Sequence, residues 1–435
     1  MGELVLQSTS VTWASKRIRF FMNSNTGMSD ADHKLSETSE SVKDSLSAEG
    51  SLTGSNNEPV MQEALSTNTS LTHLMQSVVL PSRVMASAFR IPFKIAMKGK
   101  RLPSWSTQME VVIAAFRSAC RNAPRDLSLI RAWTDISVPD LILPKEAVVH
   151  SSRLHGLQVE WVFPHRLSPE EHPKGKRRLS ASKFCNDMVL EWSKTHPIVL
   201  YLHGGAFALC GSNTHLNIIS SLALEDVVLF AVNYRRPPDV TIVEAVDDCY
   251  MAYRHLTDVI KIPSDRICVC GDSAGGSLSI LTLCRIRQEQ ISMPMCAVLI
   301  SPWCDLADQE IASKAAEGIV MPEHDYLPYD AIVMISKLVI GNMNPEDARI
   351  NPIHASLEGL PPILIHAGAV EVLFNQIIRF YDKCKEEGVN VRLKIWPDMV
   401  HVPHVFTHVS EIAQMAVTDA ARFMKEHHPH ETASN

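Results

Sequence analysis

The sequence predicts an α/β fold, a doubly wound and mostly parallel sheet preceded by helices. Three observations carry this expectation. First, apolar runs recur without period-2 alternation: "PIVLYL" (197–202), "VVLFAV" (227–232), "ICVC" (267–270), "CAVLI" (296–300) and "PILIHA" (362–367). Strands covered on both faces read this way, and such strands belong to parallel sheets. Second, helical stretches lie between them, such as "IVEAVDDCYMAYRHL" (242–256) and "GSLSILTLCRIRQEQ" (276–290). Strand–helix alternation of this kind marks a doubly wound domain. Third, the run ending at Cys270 passes directly into Gly271-Asp272-Ser273-Ala274-Gly275 and then a helix. That places a glycine-flanked serine beyond the carboxyl end of a strand, where open α/β sheets bind ligands.

The elements follow in order. Residues 1–73 form a Ser/Thr-rich tail with too little apolar surface to offset its ordering entropy, so it is expected to be disordered. Its "MGEL" start carries Leu6 where myristoylation wants Ser or Thr. "SKRIRFFM" (15–22) is basic and amphipathic, but Glu3 and the lack of spaced arginines speak against a transit peptide. Asn68-Thr69-Ser70 matches a glycosylation acceptor only by chance in such a tail. Residues 74–135 are expected to be helical. "TQMEVVIAAFRSACR" (107–121) sets Val111, Val112, Ala115, Phe116 and Ala119 on one face, after a "PSW" start signal. "RIPFKIAMKGKR" (90–101) fits a helix packed on the main domain with its charges in water better than a membrane-surface contact.

The main domain is expected over 136–430. It opens with a hairpin at 145–163, followed by a polar, Pro-punctuated insertion at 164–184. The "RRLS" in that insertion, ending at Ser180, fits a solvated loop better than a kinase site. A terminal helix is expected over 405–426, with Val409, Ile412, Ala413, Ala416, Val417, Ala420 and Phe423 on one face.

Composition narrows the function. The 435 residues carry a net charge of −7, which gives no footprint for nucleic acid. No run approaches the roughly 18 apolar residues of a membrane span, so no transmembrane segment is expected; peripheral membrane contact stays open. The ten cysteines form no CxxC pair and read as buried free thiols of a reducing, cytoplasmic compartment. The histidines, including His427, His428 and His430, show no ligand spacing. Neither a metal nor a cofactor is expected.

The chemistry centres on Ser273. In G-x-S-x-G a serine sits on a sharp strand-to-helix turn, its hydroxyl lifted above the sheet edge. The following helix points its N-terminus at the site, which favours developing negative charge. Alone, the pentapeptide also fits an ordinary βα turn. Three further features argue for more. "LYLHGGAF" (200–207) follows a strand and offers backbone N–H groups to an acyl oxygen, with the Ala274 N–H as the other half. Glu371 follows a later strand, and His401 follows the next, in "RLKIWPDMVHVPHVF". A hydroxyl needs a base to take its proton, and the base needs an acid to orient it. Asp398 is an alternative acid and His404 an alternative base. Asp272 is expected to hold the turn, and His203 to position the glycine loop.

With these motifs the chain resembles the hormone-sensitive-lipase-like branch of the α/β-hydrolase superfamily, which contains serine esterases and lipases. The matching stretches are "HGGAF", "VNYR" (232–235), "GDSAGG", "ISPWCDL" (300–306), G-x-x-E-x-L (368–373) and D-M-V-H (398–401). The resemblance implies Ser273 as nucleophile, His401 as base and Glu371 as acid. It implies oxyanion donors from Gly204, Gly205 or Ala206, and from Ala274. It also implies that the helices near 74–133 cap the acyl pocket. The chain departs from the usual pattern at Ala206, where a third glycine is common, at Glu371, where Asp is more usual, at "YRRPPD" (234–239), and at Val402. The expected function is hydrolysis of carboxylic esters of small or lipid-like acyl groups through an acyl-enzyme. Amide cleavage or deacetylation on the same triad, and a non-catalytic small-molecule receptor, are the alternatives. The sequence leaves the oligomeric state open.

Overall fold

The sheet is built from β1 (Ala147–Leu154), β2 (Leu157–Pro164), β3 (Ile198–Leu202), β4 (Val228–Val232), β5 (Ile267–Asp272), β6 (Cys296–Ile300), β7 (Ile363–Gly368) and β8 (Val391–Trp396). Their spatial order is β1-β2-β4-β3-β5-β6-β7-β8. The β1–β2 hairpin and the β2–β4 pair are antiparallel, and the strands from β4 onward pair in parallel. The computed structural model describes residues 99–123, 126–135, 146–168, 184–308 and 324–429, with Ile95 and Met97 besides. All of them lie in one unit, Leu80–Asn435. The expected tail, residues 1–73, lies outside the described residues, as do Ser180 and most of the 164–184 insertion.

The continuous apolar runs are strands buried on both sides. Ile198, Leu200 and Leu202 join Val269, Leu299 and Ile365 on one face. Val199 and Tyr201 join Cys268, Cys270 and Val298 on the other. Because neighbouring residues of a strand face opposite ways, neither face could be polar. Helices α3 (Asn186–Trp192), α4 (Leu216–Leu224), α5 (Ile242–Arg254), α6 (Ala274–Gln288), α7 (Tyr329–Ile340), α8 (Phe374–Glu386) and α9 (Glu411–His427) accompany the sheet. Helices α5, α6 and α8 bury residues in the first cluster, α4 and α9 in the second. Helix α5 starts with a capping box: Glu244 N–H donates to Thr241 Oγ1 at 3.2 Å, and Thr241 N–H to Glu244 Oε2 at 2.7 Å.

Three expectations need correction. The terminal helix begins at Glu411, not 405, capped by the Ser410 side chain. Val402 is left-handed at φ 47° and Pro403–Phe406 form a separate 3-10 turn, so the chain must re-enter helix later. Before the sheet, α1 (Thr107–Arg121) and α2 (Leu127–Thr134) form as expected but α1 buries another face. Met109 and Ile113 pack with Trp105, Trp396, Met399, Val400 and Phe406, while Phe116 is 42% exposed. Glu110 joins the buried face because Arg101 meets it at 2.9 Å. Finally, all ten cysteines are free, but Cys185 is exposed at the cap position of α3.

The register matters for function. Leu202 pairs with Gly271, Asp272 with Ile300, Ile300 with His366, and Gly368 with Trp396. Strands β3, β5, β6, β7 and β8 therefore end near one line, and the loops after them meet at one edge.

Candidate active site

Ser273 sits at the N-cap of α6 with φ 52° and ψ −119°. A non-glycine residue in this region is strained, and surroundings must hold it there. Its N–H donates to Ile300 O at 2.8 Å, and its carbonyl accepts from Trp303 N–H at 3.0 Å. The flanking glycines make the turn sterically feasible. A Cβ on Gly271 would strike the Gly275 carbonyl, and one on Gly275 would strike the carbonyl of Leu202.

His401 Nε2 lies 2.9 Å from Ser273 Oγ. Its other ring nitrogen, Nδ1, faces Glu371 Oε1 at 3.9 Å. That is ionic contact without a full hydrogen bond, a spacing that commonly tightens when substrate binds. Both groups are buried, His401 at 2% exposure and Glu371 at 0%. Burial works against a charge on His401, but Glu371, Asp325 and Asp272 outweigh it and hold its pKa above the ordinary 6.5. Glu371 Oε2 accepts from Ser301 Oγ at 2.5 Å and from Gly368 N–H at 3.0 Å.

The rival residues are engaged elsewhere. Asp398 accepts from Ser104 Oγ at 2.7 Å, and its carbonyl accepts from Trp105 Nε1 at 2.7 Å. It anchors the segment before α1. His404 Nε2 lies 3.1 Å from His366 Nδ1, whose Nε2 lies 3.1 Å from Asp419. Burial pushes the His404 pKa well below its ordinary value.

The loop after β3 runs through left-handed backbone: Gly205 at φ 110°, Ala206 at 53° and Phe207 at 63°. A Cβ on Gly205 would meet the Leu209 carbonyl, so only glycine fits there. Gly204 leaves the expected donor set, because its N–H already donates to Asp272 Oδ1 at 3.0 Å. Among the described residues, no backbone acceptor meets the N–H groups of Gly205, Ala206 and Ala274. Asp272 also accepts from Tyr201 Oη at 2.6 Å and meets His215 Nε2 at 3.3 Å. Burial opposes its charge, yet His215, Tyr201 and His203 hold its pKa down at about 2. His203 stacks on Tyr234 with ring centroids 4.4 Å apart, and its Nδ1 lies 2.7 Å from Gly204 O. Burial and nearby His215 push its pKa down to about 3. Asp272, expected to hold the Ser273 turn, instead meets the loop after β3 at the Gly204 N–H, and His203 meets the same loop at the Gly204 carbonyl.

Residues 199–405 match a family model described as alpha/beta hydrolase fold. An acetyl-hydrolase of Streptomyces hygroscopicus is 32% identical over 52% of this chain and 75% of its own. A hormone-sensitive lipase from a metagenome library is 25% identical, with a TM-score of 0.60 over 73% of this chain and 98% of its own. The chain belongs to the hormone-sensitive-lipase-like esterases of the α/β-hydrolase family. The solved structure of the esterase EstE5, soaked with p-nitrophenyl butyrate, overlays on this hydrolase with a TM-score of 0.60, 26% identity, and coverage of 73% and 97%.

Two residues of the esterase site escaped the sequence reading. Ser301 lies in "ISPWCDL", a matched motif, so a signal existed without a role attached. Buried Asp325 has no local signal. It reaches the candidate site through the N–H groups of Val372, which donates to its Oδ2 at 2.7 Å, and of His401, 3.4 Å from its Oδ1. Among the described residues of the hydrolase, no three His, Cys, Asp or Glu side chains could hold a metal, and no helix is long and apolar enough to cross a membrane.

Proposed function

We propose that this esterase cleaves carboxylic esters through a Ser273–His401–Glu371 triad and an acyl-enzyme. The observation that carries the reading is the 2.9 Å contact from His401 Nε2 to Ser273 Oγ at a strained strand-to-helix turn. His401 takes the Ser273 proton as Oγ attacks the ester carbonyl carbon. The resulting oxyanion accepts from the N–H groups of Gly205, Ala206 and Ala274. The C–O bond to the alcohol breaks, and His401 passes its proton to the leaving alcohol. Water then repeats the sequence on the acyl-enzyme, releasing the acid and restoring Ser273. Glu371 orients the imidazole and offsets its charge.

The substrate class follows from the surroundings. Tyr326 lies 6.2 Å from the His401 ring, and Phe116 lies 5.6 Å from Tyr326 and 5.9 Å from Phe406. Aromatic walls beside the base suit an apolar acyl or alcohol group. Phe116 belongs to α1, so α1 serves as part of a cap over the pocket. The test is hydrolysis of p-nitrophenyl esters from acetyl to palmitoyl by wild type and Ser273→Ala. Turnover that vanishes with Ser273 supports the reading, and the chain-length optimum separates a short-acyl esterase from a lipase. Matched ester and amide substrates separate this reading from amidase or deacetylase activity. A folded protein inert toward all of them would instead be a receptor.

A further inference from the structure

The segment Asp325–Tyr326 precedes α7 and lies beside His401, with the Tyr326 ring 6.2 Å from the imidazole. Asp325 is 1% exposed, and its carboxylate meets backbone N–H groups on both triad loops. Oδ2 accepts from the N–H of Val372, the residue after Glu371, at 2.7 Å. Oδ1 accepts from its neighbour Tyr326 N–H at 2.7 Å and faces the N–H of His401 itself at 3.4 Å. Its carbonyl accepts from Arg117 Nε of α1 at 2.7 Å. One residue therefore touches the acid loop, the base loop and the N-terminal helix.

We propose that Asp325 is a positioning residue that holds the loops of Glu371 and His401 in register and supplies a second buried negative charge for the His401 imidazolium. The inference rests on the triad reading above. The triad spans two loops that follow different strands, and nothing in the sheet fixes their mutual distance to the fraction of an ångström that proton transfer needs. Glu371 and His401 stand 3.9 Å apart without a direct hydrogen bond. Their relative placement depends on bridges from the flanks, and a carboxylate accepting N–H bonds beside both residues is such a bridge. Ser301 provides the other, accepting from Val402 N–H at 3.0 Å while donating to Glu371. The charge acts in the same direction. Glu371, Asp325 and Asp272 all favour the protonated ring. Burial and the nearby Glu371 carboxylate hold the Asp325 pKa above its ordinary value, while His401 and the Val372 and Tyr326 N–H groups act against that rise. The Cys120 thiol of α1 and the Tyr326 phenol also sense Asp325, and burial keeps both neutral.

The test compares wild type with Asp325→Asn, which keeps the shape but loses the charge and one acceptor. Folding is checked by circular dichroism, and kcat and KM for a p-nitrophenyl ester are measured across pH. The proposal expects a folded variant whose kcat falls about 10- to 100-fold, with KM changed far less. It also expects the acid limb of kcat/KM to move to lower pH, since a charge favouring the imidazolium is gone. Asp325→Ser, also neutral, is the second variant should the first not fold. A folded neutral variant with unchanged kcat and an unmoved limb overturns the proposal. So does unfolding of both variants, which would assign Asp325 to the fold alone. Phosphonylation of Ser273 by a fluorophosphonate supplies the same comparison without an ester. No turnover and no phosphonylation in wild type would sink the triad reading itself; a reactive wild type indistinguishable from Asp325→Asn sinks only this inference.

Discussion

Ser301 donates its hydroxyl to Glu371 Oε2 at 2.5 Å while accepting the N–H of Val402, the residue after His401, at 3.0 Å. One side chain at the end of β6 therefore ties Glu371 to the loop of His401. Ser301 itself is held at φ 46°, with its N–H on the His366 carbonyl at 2.7 Å. Removing a hydrogen bond to a charged group costs about 1.5–3 kcal/mol. Ser301→Ala is therefore expected to lower kcat about 10- to 100-fold. Steady-state kinetics on a p-nitrophenyl ester checks this, and an unchanged kcat would show the bridge to be idle.

Glu371→Gln keeps the shape of the acid and deletes its charge. The expected loss in kcat is on the order of 10⁴-fold, because a neutral amide neither selects the right imidazole tautomer nor stabilises the imidazolium. Glu371→Asp is expected to retain more activity than Gln, though less than wild type, since the shorter side chain widens a gap already at 3.9 Å. Equal activity of the Gln variant and wild type would move the acid role to another residue.

The pH profile follows from His401. In the proposed triad only the neutral ring can accept the Ser273 proton, and its pKa is held above 6.5. Activity is therefore expected to rise with pH along a limb whose kcat/KM midpoint lies above 6.5. The stability linkage runs the other way. A histidine with a raised folded pKa contributes stability that is full below about 6.5 and is lost as pH rises through the folded value. A limb centred below 6 in wild type would contradict the electrostatics of the site.

Asp272 links three elements: Tyr201 in β3, the Gly204 N–H and His215. Its pKa falls from 3.8 unfolded to about 2 folded, a shift of about 2 kcal/mol in favour of the folded state. A depressed carboxylate stabilises above its unfolded pKa and loses that contribution as pH falls through the folded one. Asp272→Asn is expected to unfold more easily at pH 7 by at least this amount, with the gap narrowing between pH 4 and pH 2. Urea denaturation at several pH values measures it; a gap that does not depend on pH would refute the charge argument.

Ala206 sits at φ 53°, where a Cβ costs about 1 kcal/mol or more. Ala206→Gly removes that strain and keeps the N–H. The expected result is esterase activity within a few-fold of wild type and stability higher by about 1 kcal/mol. A large loss of activity would mean that the methyl group itself shapes the pocket.

The local order of the chain determined much of this protein. Apolar runs without alternation marked β3 to β7, because a strand covered on both faces leaves no place for a polar side chain. Glycines around Ser273 marked the turn, because a Cβ there meets backbone. The sequence order of Ser273, Glu371 and His401, each beyond a strand, already placed all three at one edge. The tertiary structure decided between neighbours that the sequence could not separate. His401 and His404 lie three residues apart in one loop, and the left-handed Val402 sends one ring to Ser273 and leaves the other stacked on His366. Asp398 and Glu371 are both acids near strand ends, yet Asp398 faces Ser104 and Trp105. Gly204 looked like a donor until Asp272 claimed its N–H. The buried face of α1 is set by Trp396, Met399 and Phe406, far along the chain, which pack with Met109 and Ile113. In each case the deciding contact joins residues distant in sequence, and such contacts exist only once the sheet has brought its loops to one edge.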